Sequence, residues 1–161
     1  MTIEILRKKL EQKLDAIKAY ADANVPKVIG AESIKEFRSN FVNESFDGKK
    51  WKDVVRRDPK SPWYGHSGQT GKKSNSRKSA KILDGETGEL RNATSFRTNA
   101  KSVTILNDKP YAAVHNEGLM AKIYGKKEFT MPKRQFVGIT KQLEKNITDK
   151  IERDLTRIIN S

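Results

Sequence analysis

The sequence predicts an α+β fold: N-terminal helices and a long C-terminal helix packed on a small antiparallel sheet, with a long basic loop ahead of the strands. Three observations predict it. Apolar residues recur every three or four positions near both ends of the chain, which is the helical period. Two short segments between residues 90 and 106 have the turn-bounded, alternating character of strands. The order is helices, then strands, then a helix, which is an α+β plan rather than an alternating βαβ one.

The first helix is expected over residues 2–22, with Thr2 as N-cap and Ile3, Leu6, Leu10, Leu14, Ile17 and Ala21 on one face. Val25-Pro26 and Gly30 interrupt that pattern, because a residue before proline disfavours helix and glycine tolerates a turn. A second helix is then expected from Ser33, which has capping-box spacing to Glu36, burying Ile34, Phe37 and Phe41. Asp47-Gly48 signals a turn flanked by Phe46 and Trp51 as anchors. Residues 56–80 are rich in Pro, Gly, Ser and Lys and read as a long mobile excursion.

Residues 90–98 and 102–106 read as strands joined near Asn99-Ala100, with Phe96, Val103 and Ile105 facing inward. Tyr111 and Val114 have the spacing of one helical turn, which Gly118 stops. A basic loop around Gly125 leads to a short strand at residues 129–131, which Pro132 ends. From about Thr140 the chain is helical again: Leu143, Ile147, Ile151, Leu155 and Ile158 line one face and Lys145, Asp149, Glu152 and Arg157 the other. There is no internal repeat, and 161 residues are expected to form a single domain.

Composition narrows the function. With 35% hydrophobic and 33% charged residues, the core is lean, and part of the chain is expected to order only in an assembly. Cysteine is absent, which excludes disulfides, thiolate catalysis and the usual structural zinc sites. No cationic start precedes an apolar run, and no apolar stretch is long enough to span a membrane, so neither secretion nor insertion is expected. The sequons at Asn43, Asn92 and Asn146 are accordingly expected to carry no glycan. The net charge of +13 implies attraction to an anionic surface, protein or nucleic acid. Residues 52–81 hold nine Lys and Arg against Asp53 and Asp58, a net of +7, and supply the expected anionic-partner contacts Arg56, Arg57, Lys72, Lys73, Arg77 and Lys78.

Catalytic patterns fail on inspection. The run from His66 to Ser74 lacks a phosphate loop's first glycine, at His66, and its Ser or Thr, at Lys73. Ser67 is short of a nucleophile elbow because Gln69 occupies the closing glycine position. His115-Asn116-Glu117 offers a nitrogen and a carboxylate, but a two-residue step does not aim both at one point, and bracing of the helix end near Gly118 is the simpler reading. No catalytic residue, metal or cofactor is expected. Nonspecific nucleic-acid binding is the stronger alternative, because Trp51, Trp63 and Tyr64 stand among the basic residues, yet no sequence-reading motif is present.

Four islands in order carry a resemblance: Phe46 to Trp51; Leu83 to Arg91, with Thr87-Gly88-Glu89-Leu90-Arg91; Tyr111 to Gly118, with His115 and Asn116; and Met131 to Gly138, with Pro132, Arg134 and Phe136. Together they resemble the phage virion morphogenesis family, the tail-completion proteins of Mu-like and P2-like phages, over roughly residues 30–145. The resemblance implies an α+β tail-completion domain that associates with itself as a ring at the head-proximal end of the tail. It implies no catalytic site. Expected partners are further copies of the chain, tail-tube proteins and head–tail connector proteins, with nonspecific DNA contact through the basic loop and no membrane. The expected location is the virion, and the host bacterial cytoplasm during assembly. The excursion at residues 56–80 departs from the family pattern.

Overall fold

The computed structural model describes residues 2–68, 70–85, 87–123 and 125–161. The chain groups into two compact units. The first combines the N-terminal segment up to Lys35 with Phe96–Ile105 and Ile139–Ser161; the second combines Glu36–Ser95 with Leu106–Gly138.

In the first unit, helix α1 (Ile3–Ala23) packs against helix α6 (Lys141–Asn160) at the other end of the chain. Tyr20 is the buried residue of α1, and its hydroxyl donates to Asp154 Oδ2 at 2.9 Å. Burial first, and the Asp154 carboxylate second, push the Tyr20 phenol up to about 12. Lys150 donates to the same carboxylate at 2.7 and 2.8 Å. Thr140 caps α6 by accepting from the Leu143 amide at 3.0 Å, and Leu143 is buried while Ile147, Ile151, Leu155 and Ile158 are half-buried. The α1 stripe is different: Ile3, Leu6, Leu10 and Leu14 all stay exposed, Ile3 at 88%. Helix α2 (Val25–Asn43) begins in this unit, and strands β3 (Thr94–Asn99) and β4 (Ser102–Asn107) pair with their connecting turn here. Asn99 Oδ1 pins that turn by accepting from the Lys101 and Ser102 amides and the Ser102 hydroxyl.

The second unit holds the apolar cluster Phe41, Trp51, Ile82, Leu90, Ala112 and Phe136. Phe41 meets Trp51 edge-on, with centroids 5.7 Å apart, and Phe136 at 4.9 Å. Each large side chain so buried contributes about 1.5–3 kcal/mol. Strands β1 (Ser45–Phe46) and β2 (Lys49–Lys50) form a hairpin whose turn residues, Asp47 (φ 47) and Gly48 (φ 75), both take the left-handed conformation of a primed turn. A 3-10 turn at Val55–Arg57 and helix α3 (Asn75–Ser79) follow, then helix α4 (Glu89–Asn92) and helix α5 (Ala112–Glu117). Strands β5 (Met120–Ile123) and β6 (Lys127–Thr130) make a hairpin with Lys122 and Glu128 paired across it at 3.1 Å.

The α+β class and the order of elements agree with the sequence reading. Its details change in four places. α2 starts at Val25, not Ser33, and Ser33 is a buried residue inside it, so the Ser33/Glu36 spacing caps nothing. Pro26 is tolerated because a first-turn amide needs no helical partner, and Gly30 sits there because a Cβ would come within 2.2 Å of the Phe96 ring. The strand expected from Leu90 begins at Thr94, since Gly88 (φ 67) opens α4 first and buries Leu90 from a helix. The loop expected near Gly125 is the tip of the β5–β6 hairpin; the strand expected at residues 129–131 lies at Lys127–Thr130 as β6, and its partner β5 was not expected. The small sheet is three separate two-stranded ribbons among the described residues.

Candidate functional site

The excursion at residues 56–80 contains local order. Arg56 is buried, and its guanidinium donates to the carbonyls of Arg77 (2.9 Å), Ala80 (2.8 Å) and Lys81 (2.9 Å), tying the two ends of the excursion together. Arg57 grips Glu44 with both terminal nitrogens, at 2.9 and 2.5 Å, and also reaches the Ala80 carbonyl at 2.7 Å. Glu44 additionally accepts from the Ile82 amide at 2.7 Å. Arg57 is the first cause that holds the Glu44 carboxyl below its ordinary value, against the opposing effect of burial. An isolated bridge pairs His66 with Lys73, and His66 stands edge-on to Trp63 at 4.9 Å. Ser67 is buried and accepts from the Thr70 amide at 3.2 Å, a turn-forming role; Gln69 lies outside the described residues.

The six residues expected to meet an anionic partner therefore divide. Arg56 and Arg57 are bonded inside the fold. Arg77 donates to the Gly85 carbonyl at 2.6 Å. Lys78 lies over the Tyr64 ring at 4.8 Å, while Lys72 and Lys73 are exposed, Lys73 touching the Pro62 carbonyl at 2.9 Å. The lysines are the outward part of the set.

The four sequence islands converge in the second unit. The segment at residues 131–138, entered through Pro132, has neither helix nor strand, so its backbone groups need other partners. Asn116 Oδ1 accepts from the Phe136 and Val137 amides at 2.9 and 3.0 Å. The His115 carbonyl accepts from the Arg134 amide at 2.8 Å, the Phe136 carbonyl accepts from Asn40 at 3.1 Å, and the Gln135 carbonyl accepts from the Trp51 indole at 2.8 Å. Gly118 (φ 72) ends α5, and a Cβ there would meet the Lys133 Cβ at 2.9 Å. His115 and Asn116 thus brace a distant segment, while the end of their own helix is closed by the Gly118 and Leu119 amides on the Val114 carbonyl. Asn40 and Glu44 are the contributors that sequence reasoning missed; each acts across a long sequence separation that no local pattern marks.

Arg134 is buried, and its Nε and Nη2 donate to the Lys52 carbonyl at 3.1 and 3.0 Å. Residues from three islands, together with Arg56 and Arg77, surround a cavity of about 300 Å³. Its wall includes Thr87, Leu90, Tyr111, His115 and Arg134, with Gly88 and Arg91 just behind: Arg91 pairs with Asp84, a wall residue, at 3.2 Å. Tyr111 meets His115 edge-on, with centroids 6.1 Å apart. Burial first, then the Arg134 charge, lower the His115 imidazole from its ordinary value, so the ring is neutral at pH 7.

No group of three or more metal-ligating side chains occurs among the described residues, and no helix there is long and apolar enough to cross a membrane. A family model, that of the phage virion morphogenesis family, matches residues 6–156. No curated protein and no solved structure gives a match.

Proposed function

The chain belongs to the phage virion morphogenesis family, and from that premise we propose that it is a structural protein that completes the tail tube as a ring and supports head–tail joining. The family match over residues 6–156 supports the phage-assembly role and contact with other virion components. The ring reading is carried by α1. Four apolar side chains, each about one turn from the next, Ile3, Leu6, Leu10 and Leu14, are exposed on one helical face. Such a stripe is costly to leave in water and marks a protein contact. In this reading α1 packs on a neighbouring copy, and the exposed lysines Lys72 and Lys73 face an acidic virion protein or the DNA that passes. The protein acts by contact and carries out no catalytic step. Its places of action are the virion and the host cytoplasm in which the virion is built.

Deleting the gene from its phage is expected to leave unjoined heads and tails, or tails of faulty length, by electron microscopy. Complementation with Leu6→Gln/Leu10→Gln/Leu14→Gln is expected to fail although the purified variant keeps its helical circular dichroism. A normal yield of infectious particles from the deletion phage would overturn the reading.

A further inference from the structure

The cavity of the second unit has an electrostatic imbalance. Arg56 and Arg134 both line it, and both are buried, at 9% and 6% exposure. All their hydrogen bonds go to backbone carbonyls: Arg77, Ala80 and Lys81 for Arg56, Lys52 and Asp53 for Arg134. Among the described residues neither has a carboxylate within ion-pairing distance. The two acids in the wall pair with other cations, Asp84 with Arg91 at 3.2 Å and Glu89 with Lys109 at 3.4 Å, although Asp84 Oδ1 accepts no hydrogen bond among the described residues. A buried charge without a counter-charge is costly, and carbonyl dipoles offset only part of that cost. Burial accordingly lowers both guanidiniums from their ordinary value.

Donors remain to receive a ligand. Arg56 Nε and Arg134 Nη1 make no hydrogen bond among the described residues, and His115 Nδ1, on another wall residue, is buried without a partner. Between these polar groups the wall is apolar, formed by Val54, Ile82, Leu83 and Leu90. Guanidinium nitrogens match the two oxygens of a carboxylate, and the apolar wall matches a short aliphatic body.

We propose that this cavity is a binding site for a carboxylate carried on a short aliphatic chain, such as an acidic side chain, held by Arg56 and Arg134 with His115 beside them. The site does not depend on ring assembly, since every residue that forms it belongs to one unit of one chain.

The test is calorimetric titration of the full chain at constant ionic strength with glutarate, which ends in the group borne by a glutamate side chain, and separately with inorganic phosphate, against sodium chloride as reference. Saturable one-site binding of glutarate is expected, weakened at least tenfold, about 1.4 kcal/mol, by Arg134→Met. Because that substitution also removes bonds to the Lys52 carbonyl, a second pair of variants is needed. Gly68 lines the cavity and a Cβ there meets nothing within 4 Å, so Gly68→Glu tethers a carboxylate at the site without a clash. Gly68→Glu is expected to raise the melting temperature and compete glutarate away, whereas Gly68→Gln does neither. Absence of saturable glutarate binding, binding of phosphate alone, or equal effects of Gly68→Glu and Gly68→Gln would each overturn the proposal.

Discussion

Replacing Glu44 by Gln removes one charge from the junction that holds both ends of the basic excursion. The carboxylate accepts three hydrogen bonds, two from Arg57 at 2.9 and 2.5 Å and one from the Ile82 amide at 2.7 Å. A glutamine offers one carbonyl oxygen in place of two, and its amide donors face a guanidinium. Exposed ion pairs contribute about 0–1 kcal/mol and the breaking of fully buried ones costs about 3–5. With side-chain exposures of 19% for Arg57 and 16% for Glu44, the pair lies nearer the buried limit, and a loss of about 2–3 kcal/mol is expected. For a chain of this size that lowers the melting temperature by about 5–10 °C. Urea unfolding followed by tryptophan emission suits the measurement, because Trp51 and Trp63 both belong to the second unit. The pH dependence supplies the sharper check. Glu44 titrates below its ordinary value, so its stabilisation is complete above the unfolded-state value and is lost as pH falls through the lower folded value. The gap between native and Glu44→Gln proteins should therefore hold from pH 7 down to the ordinary glutamate value of about 4.3 and close as pH falls further through the lowered folded value. A gap under about 0.5 kcal/mol at pH 7, or one unchanged at acid pH, refutes the reasoning.

Asn116→Ala leaves the Phe136 and Val137 amides without their acceptor and is expected to cost about 2–3 kcal/mol by urea unfolding; a neutral result would mean that water replaces the side chain freely. Thr140→Ala removes the cap of α6 and should cost about 1 kcal/mol, read in the thermal melt at the helical circular dichroism band. Lys72→Gln/Lys73→Gln should leave stability within about 0.5 kcal/mol, because both side chains are exposed. If the outward lysines bind an anionic partner, the same pair should weaken retention on a polyanion column and reduce its salt dependence.

Helices α1 and α6 were legible because a 3.6-residue period needs no tertiary information, and the Asp47-Gly48 turn because few residues accept two successive left-handed conformations. α2 was misread at its start for the opposite reason. Pro26 and Gly30 are helix breakers by local propensity, but a first-turn position and the approach of the Phe96 ring reverse their meaning. The site was legible as a set of positions and not as an arrangement. Trp51, Leu90, His115, Asn116, Arg134 and Phe136 all stand out in the islands, yet nothing in their spacing says that Asn116 would bond residues 136 and 137, or that Arg134 and Arg56 would face one cavity. Those are contacts across 20 residues or more in sequence, and Asn40 bonds a carbonyl 96 positions away while Glu44 bonds Arg57 and Ile82, 13 and 38 positions away.

The charge of residues 52–81 has a different meaning once its residues are divided by type. A net of +7 suggests a uniform basic surface, but the arginines and lysines there do not do the same thing. Arg56 and Arg57 each bridge several acceptors at once, which the planar guanidinium fork allows, and Arg134 outside the segment does likewise. Lys52, Lys60, Lys72, Lys73 and Lys81 keep their charge in solvent. The inner set is poorly screened by salt, while the outer set acts only over about a Debye length of 8 Å at physiological ionic strength. Raising salt should therefore weaken any contact the lysines make with a partner while leaving the arginine-tied frame of the excursion in place. Order in this segment thus comes from its three arginines, while its six lysines supply most of the charge.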